Sequence, residues 1–152
     1  APAEQEYHEK ALVELADAAV RAGDFPGAES RLRTQLRLYP SGGESAQGRI
    51  LLGTALLQKI DPQAKVPAAE AVRAGEEALG LFKQVVADVD ARKAANRPLP
   101  DDDWLRVQSN LRVLRAHVLL RKPYDVLTTA DPLRREYAGR VEELIVLSMM
   151  YH

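Results

Sequence analysis

The chain has 152 residues, a length that fits one compact domain with a fair core. Hydrophobic residues make up 46% and aromatic residues only 5%, a balance rich in alanine and leucine that favours helices over sheets. The net charge of −1 gives no global attraction for nucleic acid or an anionic membrane, and no apolar run is long enough to span a bilayer. Zero cysteines exclude disulfides, thiolate catalysis and cysteine-ligated zinc.

The first residues, Ala-Pro rather than Met, indicate a processed mature end or a trimmed chain. A signal peptide removed upstream would leave such an end. We therefore expect the periplasm or an exported place in the bacterial envelope, with the cytoplasm as the alternative. The absence of cysteine does not decide between them, since both reduced and exported proteins can lack it.

Residues 12–40 predict two amphipathic helices joined by a tight turn at Gly23-Asp24-Phe25. Gly23 is suited to end the first helix in a left-handed conformation, and Pro40 stops the second helix. Each helix carries apolar or small residues at helical spacing, which are Leu12, Leu15, Ala16 and Ala19 in the first and Ala28, Leu32, Leu36 and Tyr39 in the second. Ala16 and Ala28 are small enough to let the two helices approach closely.

This spacing resembles the tetratricopeptide repeat, whose pattern is W-x2-L-G-x2-Y, then A-x3-F, then a terminal proline. The chain keeps both long intervals in Leu12-x2-Leu15-Ala16-x2-Ala19, Ala28-x3-Leu32 and Pro40. The first repeat therefore spans about residues 9–42.

A second copy begins after the loop at Gly42 and Gly43 and spans about residues 46–96. It contains Arg49-x2-Leu52-Gly53-x2-Leu56 and Ala78-x3-Phe82, with an insertion at residues 61–74 between the two halves. Asp61-Pro62 breaks its first helix, with Ser45 as the expected cap. Pro67 suits the opening turn of one long helix that runs to about Asn96.

A third copy spans about residues 102–138, with Leu111-x2-Leu114 in its first helix and Val126, Ala130, Leu133 and Tyr137 in its second. In this alignment Arg115 stands where a small residue belongs, and Pro132 kinks or restarts the second helix. Leu144-x2-Leu147-Ser148-x2-Tyr151 fits the first helix of a fourth copy at residues 140–152. The resemblance implies an all-α, right-handed α-α superhelix of about three helical hairpins plus that first helix. It forms a single domain over residues 1–152, expected to be part of a longer chain.

Three features could suggest a chemical site, and each has a simpler interpretation. His8 follows Glu4 by one turn, but a metal site needs three or four ligands. The Gly42-Gly43 loop lacks the Lys-Ser/Thr and the strand of a phosphate-binding loop. The aspartates at 101–103 suit a helix N-terminus, where carboxylates are favoured without a metal. We therefore predict no catalytic residues, no cofactor and no metal, and the protein is not expected to be an enzyme.

The resemblance further implies a concave groove, lined by the first helices of the repeats, that holds a peptide or partner protein. The family's groove positions correspond to Lys10, Val13, Asp17, Val20, Gln47, Ile50, Thr54, Leu57, Ser109, Arg112, Ala116 and Leu119. Val13 and Asp17 replace the lysine and asparagine of the family's carboxylate-clamp subtype, so chaperone C-terminal tails are not expected as ligands. An amphipathic helix or an apolar segment suits this mixed surface better.

The last helix is apolar on too many sides for the end of a solenoid, which should have a polar outer face. Either the chain continues, or this face is buried against another molecule, which would include a second copy of the chain. The residues predicted to form this interface are Leu144, Ile145, Leu147, Met149, Met150 and Tyr151.

Together these features predict a non-catalytic scaffold or adaptor that binds a peptide or partner protein. It resembles the repeat domains of bacterial envelope proteins. The alternative is a helical regulatory domain of a larger enzyme or regulator, whose activity lies beyond residue 152.

Overall fold

The structure is a computed structural model that describes residues 1–151. Within this range the chain forms α-helices and two short 3-10 turns, with no strand, so the all-α prediction is confirmed. The helices are α1 (Pro2–Arg21), α2 (Phe25–Leu38), α3 (Ser45–Leu57), α4 (Ala68–Ala94), α5 (Asp102–Leu119), α6 (Pro123–Glu136) and α7 (Val141–Met150). The 3-10 turns, Gln58–Ile60 and Pro62–Ala64, lie in and beside the predicted insertion.

The chain divides into two compact units, which we call unit 1 (residues 1–81) and unit 2 (from residue 82 onward). Helix α4 supplies its residues up to Leu81 to unit 1 and its remaining residues to unit 2. The single repeat domain over residues 1–152 and the right-handed superhelix stay predictions.

In unit 1, α1 packs on α2, α2 packs on α3, and α1 also contacts α3. The turn between α1 and α2 uses Gly23 with φ of 78°, a left-handed conformation that side chains disfavour. Asp24 then caps α2, because its side chain accepts a hydrogen bond from the backbone N–H of Gly27 at 2.9 Å. The hairpin predicted from the turn residues is therefore present.

In unit 2, α5, α6 and α7 make the same three contacts with one another. Arg121, with φ of 54°, occupies the left-handed position of the turn before α6. Pro132 lies inside α6, and the helix continues through it to Glu136 rather than restarting there. Val107, Leu114, Val126, Tyr137 and Val146 are members of one buried cluster.

The hairpin of α1 and α2 corresponds to the hairpin of α5 and α6. Equivalent positions in the two hairpins are 98 residues apart. Helix α2 begins at Phe25 and α6 at Pro123, and each helix has 14 residues. At this interval Ala16 corresponds to Leu114, and both side chains are completely buried. The repeat spacing had instead placed Arg115 opposite Ala16. Burial therefore shifts the alignment of α5 by one residue, and Arg115 stands at an exposed position rather than at a helix crossing.

Helix bounds agree with the sequence predictions within about three residues, but the buried faces of α1 and α2 differ from the predicted ones. Glu9 is buried although it carries a carboxylate, whereas Leu15, predicted in the apolar stripe, is 57% exposed. In the last turn of α2 Gln35 is buried, and its neighbour Leu36 is only half-buried. Helical spacing alone missed both polar positions, because the hydrogen bond between Glu9 and Gln35 joins residues on different helices.

Candidate functional site

The surface predicted as a groove in unit 1 comes from α1 and α3, which lie in contact with each other. Among the eight predicted positions, Lys10 is exposed. The half-buried ones are Asp17, Val20, Gln47 and Thr54, and the buried ones are Val13, Ile50 and Leu57. The accessible part of this surface is therefore mostly polar, with Val20 as its apolar member.

The charges on this surface are partly neutralised within α1. Lys10 Nζ lies 4.0 Å from a carboxylate oxygen of Glu14, and Asp17 forms an ion pair with Arg21. Exposed pairs one helical turn apart are weak, because water screens them. A partner could therefore exchange either pair for its own charges at little cost.

In unit 2 the predicted positions fall on α5. Ser109 and Ala116 are completely buried, while Arg112 and Leu119 are half-buried. Arg112 Nη1 donates to the side chain of Gln108 at 2.8 Å. Burial lowers the pKa of Arg112, and neighbouring Arg115 lowers it further.

The interval of 98 residues gives a second set of positions on α5 that are equivalent to the predicted groove positions of α1. Lys10, Val13, Asp17 and Val20 then correspond to Gln108, Leu111, Arg115 and Val118. Leu111 is buried like Val13, and Val118 is half-buried like Val20. The burial pattern therefore favours this second set over the one taken from the repeat spacing.

Glu9 and Gln35 form a buried polar pair between α1 and α2. Gln35 Nε2 donates to Glu9 Oε1 at 2.9 Å, and the backbone N–H of Glu44 donates to the same oxygen at 3.2 Å. Glycines leave room for both side chains: a Cβ on Gly42 would clash with the carboxylate of Glu9, and one on Gly48 with Oε1 of Gln35. The pair thus joins α1, α2 and the start of α3.

A cleft of about 350 Å³ opens beside Glu9. Near it, His8 on α1 and Tyr39 at the end of α2 share a hydrogen bond of 2.7 Å between Nδ1 and Oη. The cleft is lined by Pro2, Gln5, Glu6, Glu9, Tyr39, Gly42, Gly43 and Glu44. Among residues 1–151 no group of three or more His, Cys, Asp or Glu side chains is arranged to hold a metal ion.

An ionic network links α2 to the segments that follow α3 in unit 1. Arg33 binds both carboxylate oxygens of Glu77, at 2.7 and 3.0 Å, and also donates to Glu29 at 2.9 Å. Lys59 Nζ lies 3.0 Å from Glu29 and 3.7 Å from Glu70. The bond to Glu77 contributes most to raising the pKa of Arg33. Burial alone would raise the pKa of Glu29, but its bonds to Lys59 and Arg33 outweigh that effect and lower it.

One of the aspartates at the start of α5, Asp102, forms an ion pair with Arg92. Arg92 Nε donates to both oxygens of buried Asp102 at 3.0 and 3.1 Å, and the backbone N–H of Leu99 donates to the same carboxylate at 2.9 Å. The bond from Arg92, aided by that from Leu99, lowers the pKa of Asp102 against the opposing effect of burial. Asp102 therefore joins α4 to α5 across the linker.

Helix α7 exposes a row of apolar side chains. Val141 is 73% exposed, Leu144 66% and Tyr151 84%, and Ile145 is also exposed, whereas Val146 is completely buried. The other predicted interface residues, Leu147, Met149 and Met150, are half-buried. The charged groups at the start of α7 are engaged locally, since Arg140 pairs with Glu142 and Glu143 accepts from the N–H of Gly139.

Sequence reasoning missed the Glu9–Gln35 pair and the pocket beside the inserted segment. The signal for the first was a polar residue in each helix at the spacing of a buried stripe, with Gly48 at the start of the third helix. The signal for the second was the predicted insertion at 61–74, in and beside which the structure has two short 3-10 turns.

Comparisons of the chain with known protein families, with curated proteins and with solved structures give no match. The resemblance to the tetratricopeptide repeat therefore depends on residue spacing. Across residues 1–151, no helix combines the length and apolar character needed to cross a membrane.

Proposed function

We propose that the protein is a non-catalytic scaffold of the tetratricopeptide type, which binds a peptide or partner protein on the paired first helices of its hairpins. One observation carries the proposal: α1 contacts α3, and α5 contacts α7. First helices that lie side by side offer a continuous surface of side chains from two elements. Such a surface is suited to an extended or helical segment.

The surface chemistry supports a partner of mixed character. On α1 and α3 the accessible groups are Lys10, Asp17, Val20, Gln47 and Thr54. On α5 the equivalent positions at the 98-residue interval add Gln108, Arg115 and Val118. Apolar contacts would then be flanked by weakly paired charges, as in the recognition of an amphipathic helix. A place in the bacterial envelope is part of the same proposal.

Site-specific photo-cross-linking tests the proposal without knowledge of the partner. Lys10 or Gln47 is replaced by p-benzoylphenylalanine, and the protein is irradiated in a lysate of the organism that encodes it. We expect both positions to give the same cross-linked protein. Arg37, an exposed residue of α2, is the matched control position and should give none. Cross-links of equal yield at Arg37, or none at Lys10 and Gln47, would contradict the proposal.

A second copy of the chain is proposed as the partner of α7. Val141 and Tyr151 lie at opposite ends of the exposed row, with Leu144 and Ile145 between them. When two copies pair in antiparallel orientation, the apolar side chains of one row therefore face those of the other. The row offers on the order of 500 Å² per copy, which places the pair at the small end of specific interfaces and predicts a weak dimer.

Sedimentation velocity over a concentration series tests this dimer. The Leu144→Glu variant should sediment as a monomer at concentrations where the wild type associates, because two buried glutamates would face each other. Leu127→Glu on α6 replaces a leucine that is 51% exposed and should leave the association unchanged. A wild type that stays monomeric throughout the series would remove the proposal.

A further inference from the structure

A pocket of about 380 Å³ lies beside the inserted segment of unit 1. Its walls come from the first turn of α2, the end of α3 and the two 3-10 turns. The apolar part of the lining is Phe25, Pro26, Ala55, Ala64 and Val66. The volume lies in the range of ligand sites, which are mainly apolar with a few polar groups. No lining residue belongs to the surface proposed above, so this site goes beyond the proposed function.

The walls of the pocket are held by ionic and backbone contacts. Lys59 joins Glu29 on α2 to Glu70 at the start of α4, so the three segments around the pocket are fixed to one another. Asp61 Oδ1 accepts from the backbone N–H of Gln63 at 2.8 Å, which stabilises the second 3-10 turn. A pocket with such walls is formed before a ligand arrives, which reduces the entropy lost on binding.

The polar groups at the pocket define what it can bind. Glu29 and Lys59 neutralise each other, but within residues 1–151 the exposed carboxylate of Asp61 has no ion pair. The side-chain amides of Gln58 and Gln63 have no hydrogen-bond partner in the same range. Each amide offers both donors and an acceptor. The pocket therefore combines an apolar interior with two neutral amides and one negative charge at its rim.

We propose that this pocket binds one aliphatic side chain of an extended peptide in which the next residue is basic. The aliphatic side chain lies in the apolar interior, and its burial supplies most of the binding free energy. Gln58 and Gln63 bond the peptide groups on either side of it. The basic residue pairs with Asp61, whose carboxylate has no ion pair among residues 1–151.

A methyl-resolved NMR titration with N-acetyl-leucyl-argininamide tests the site. This probe carries a leucine, a peptide group on each side of it and an adjacent cation. The methyl signals of Ala55, Ala64 and Val66 should shift with a dissociation constant on the order of 1 mM. Replacing leucine by serine in the probe should weaken binding at least tenfold, and replacing arginine by glutamate about threefold.

Two variants locate the binding in the pocket. Ala64→Phe places a ring in the pocket from an exposed position of the second 3-10 turn and should abolish the shifts of Ala55 and Val66. Ala68→Phe adds the same ring at an exposed position that does not line the pocket and should leave them intact. Asp61→Asn keeps an acceptor for Gln63 and should remove the preference for arginine over glutamate.

Several outcomes would overturn the inference. The absence of shifts at 10 mM probe would do so, as would equal binding of the serine and leucine probes. Unchanged binding to Ala64→Phe would place the probe elsewhere. Equal binding of 3-methylbutylammonium, an aliphatic cation without peptide groups, would show a site for small amines and not for a peptide.

Discussion

The two units bury the same helical positions with different chemistry. In unit 1, α1 and α2 meet through the carboxylate of Glu9 and the amide of Gln35, and 98 residues later unit 2 has Val107 and Leu133. The third helix of each unit, α3 or α7, differs in the same way. Gly48 makes room for the amide in unit 1, whereas its equivalent in unit 2, Val146, is completely buried in the core cluster.

This difference shows that the hairpin requires a filled volume but not a particular residue type. A polar pair with a glycine serves in one unit and an apolar pair with a valine in the other. The tyrosines that follow the second helices show the same freedom. Tyr39 is half-buried and bonds His8, whereas Tyr137 is 1% exposed and accepts from Asn110 at 3.3 Å.

The largest effect is expected from removing the aromatic ring of unit 2. Tyr137→Ala should lower the free energy of unfolding by about 4 kcal/mol, because a buried ring leaves a large cavity. Tyr137→Phe keeps the ring and loses only the bond from Asn110, for about 1 kcal/mol. Urea unfolding followed by circular dichroism measures both. Equal losses would mean that the hydroxyl rather than the ring stabilises unit 2.

A double-mutant cycle tests whether the polar pair of unit 1 is equivalent to the apolar pair of unit 2. Glu9→Val and Gln35→Leu each remove the hydrogen bond between the two side chains while one buried polar partner remains, and should each cost about 2–3 kcal/mol. Together they copy the apolar pair Val107 and Leu133, so the double variant should lie within about 1 kcal/mol of the wild type. Urea unfolding of the four proteins gives the coupling. If the single losses simply add, the polar pair and the apolar pair are not equivalent.

The charge pair of unit 2 should give a smaller, pH-dependent effect. Asp102→Asn weakens its bonds to Arg92 and Leu99 and should cost about 2 kcal/mol at pH 7. The pKa of Asp102 is lowered in the folded state, so the unfolded chain takes up the proton first as the pH falls.

This contribution is therefore present above about pH 4, the ordinary range of an aspartate, and is lost as the pH falls through the folded-state pKa. The unfolding curves of Asp102→Asn and the wild type should converge at low pH. Glu4, the equivalent position in unit 1, is exposed, and Glu4→Gln should change stability by less than about 0.5 kcal/mol at any pH. If the stability lost in Asp102→Asn does not vary with pH, the ion pair with Arg92 is not the source of that stability.

The smallest effects are expected at two helical glycines of unit 1. Gly48→Ala should destabilise by about 1–2 kcal/mol, because the new methyl group meets the buried amide of Gln35. Gly80→Ala meets nothing within 4 Å and should stabilise α4 by about 0.5–1 kcal/mol. Thermal unfolding of the two variants should thus shift in opposite directions. A stabilised Gly48→Ala would show that Gln35 has room to move.

The turns and the helix bounds followed from local residues. Gly23, Pro67 and Pro123 act through their own backbone geometry, so their effect does not depend on distant contacts. The burial of the residues predicted for the partner surface did not follow from local residues. Val13 and Ile50 have the spacing of groove residues, but both are buried, since helical spacing names a face and not the element that covers it.

By itself the sequence determined that this chain forms helices, that the first two helices are joined by a turn at Gly23, and that the helical pattern breaks at Asp61-Pro62. Those features depend on propensity and on turn residues close together in the chain. Only the tertiary structure decided that Glu9 and Gln35 share a hydrogen bond, that α5 aligns one residue away from the repeat spacing, and that the α7 row stays exposed. These depend on contacts between helices far apart in sequence, where packing and hydrogen bonding choose among faces that the local pattern leaves equivalent.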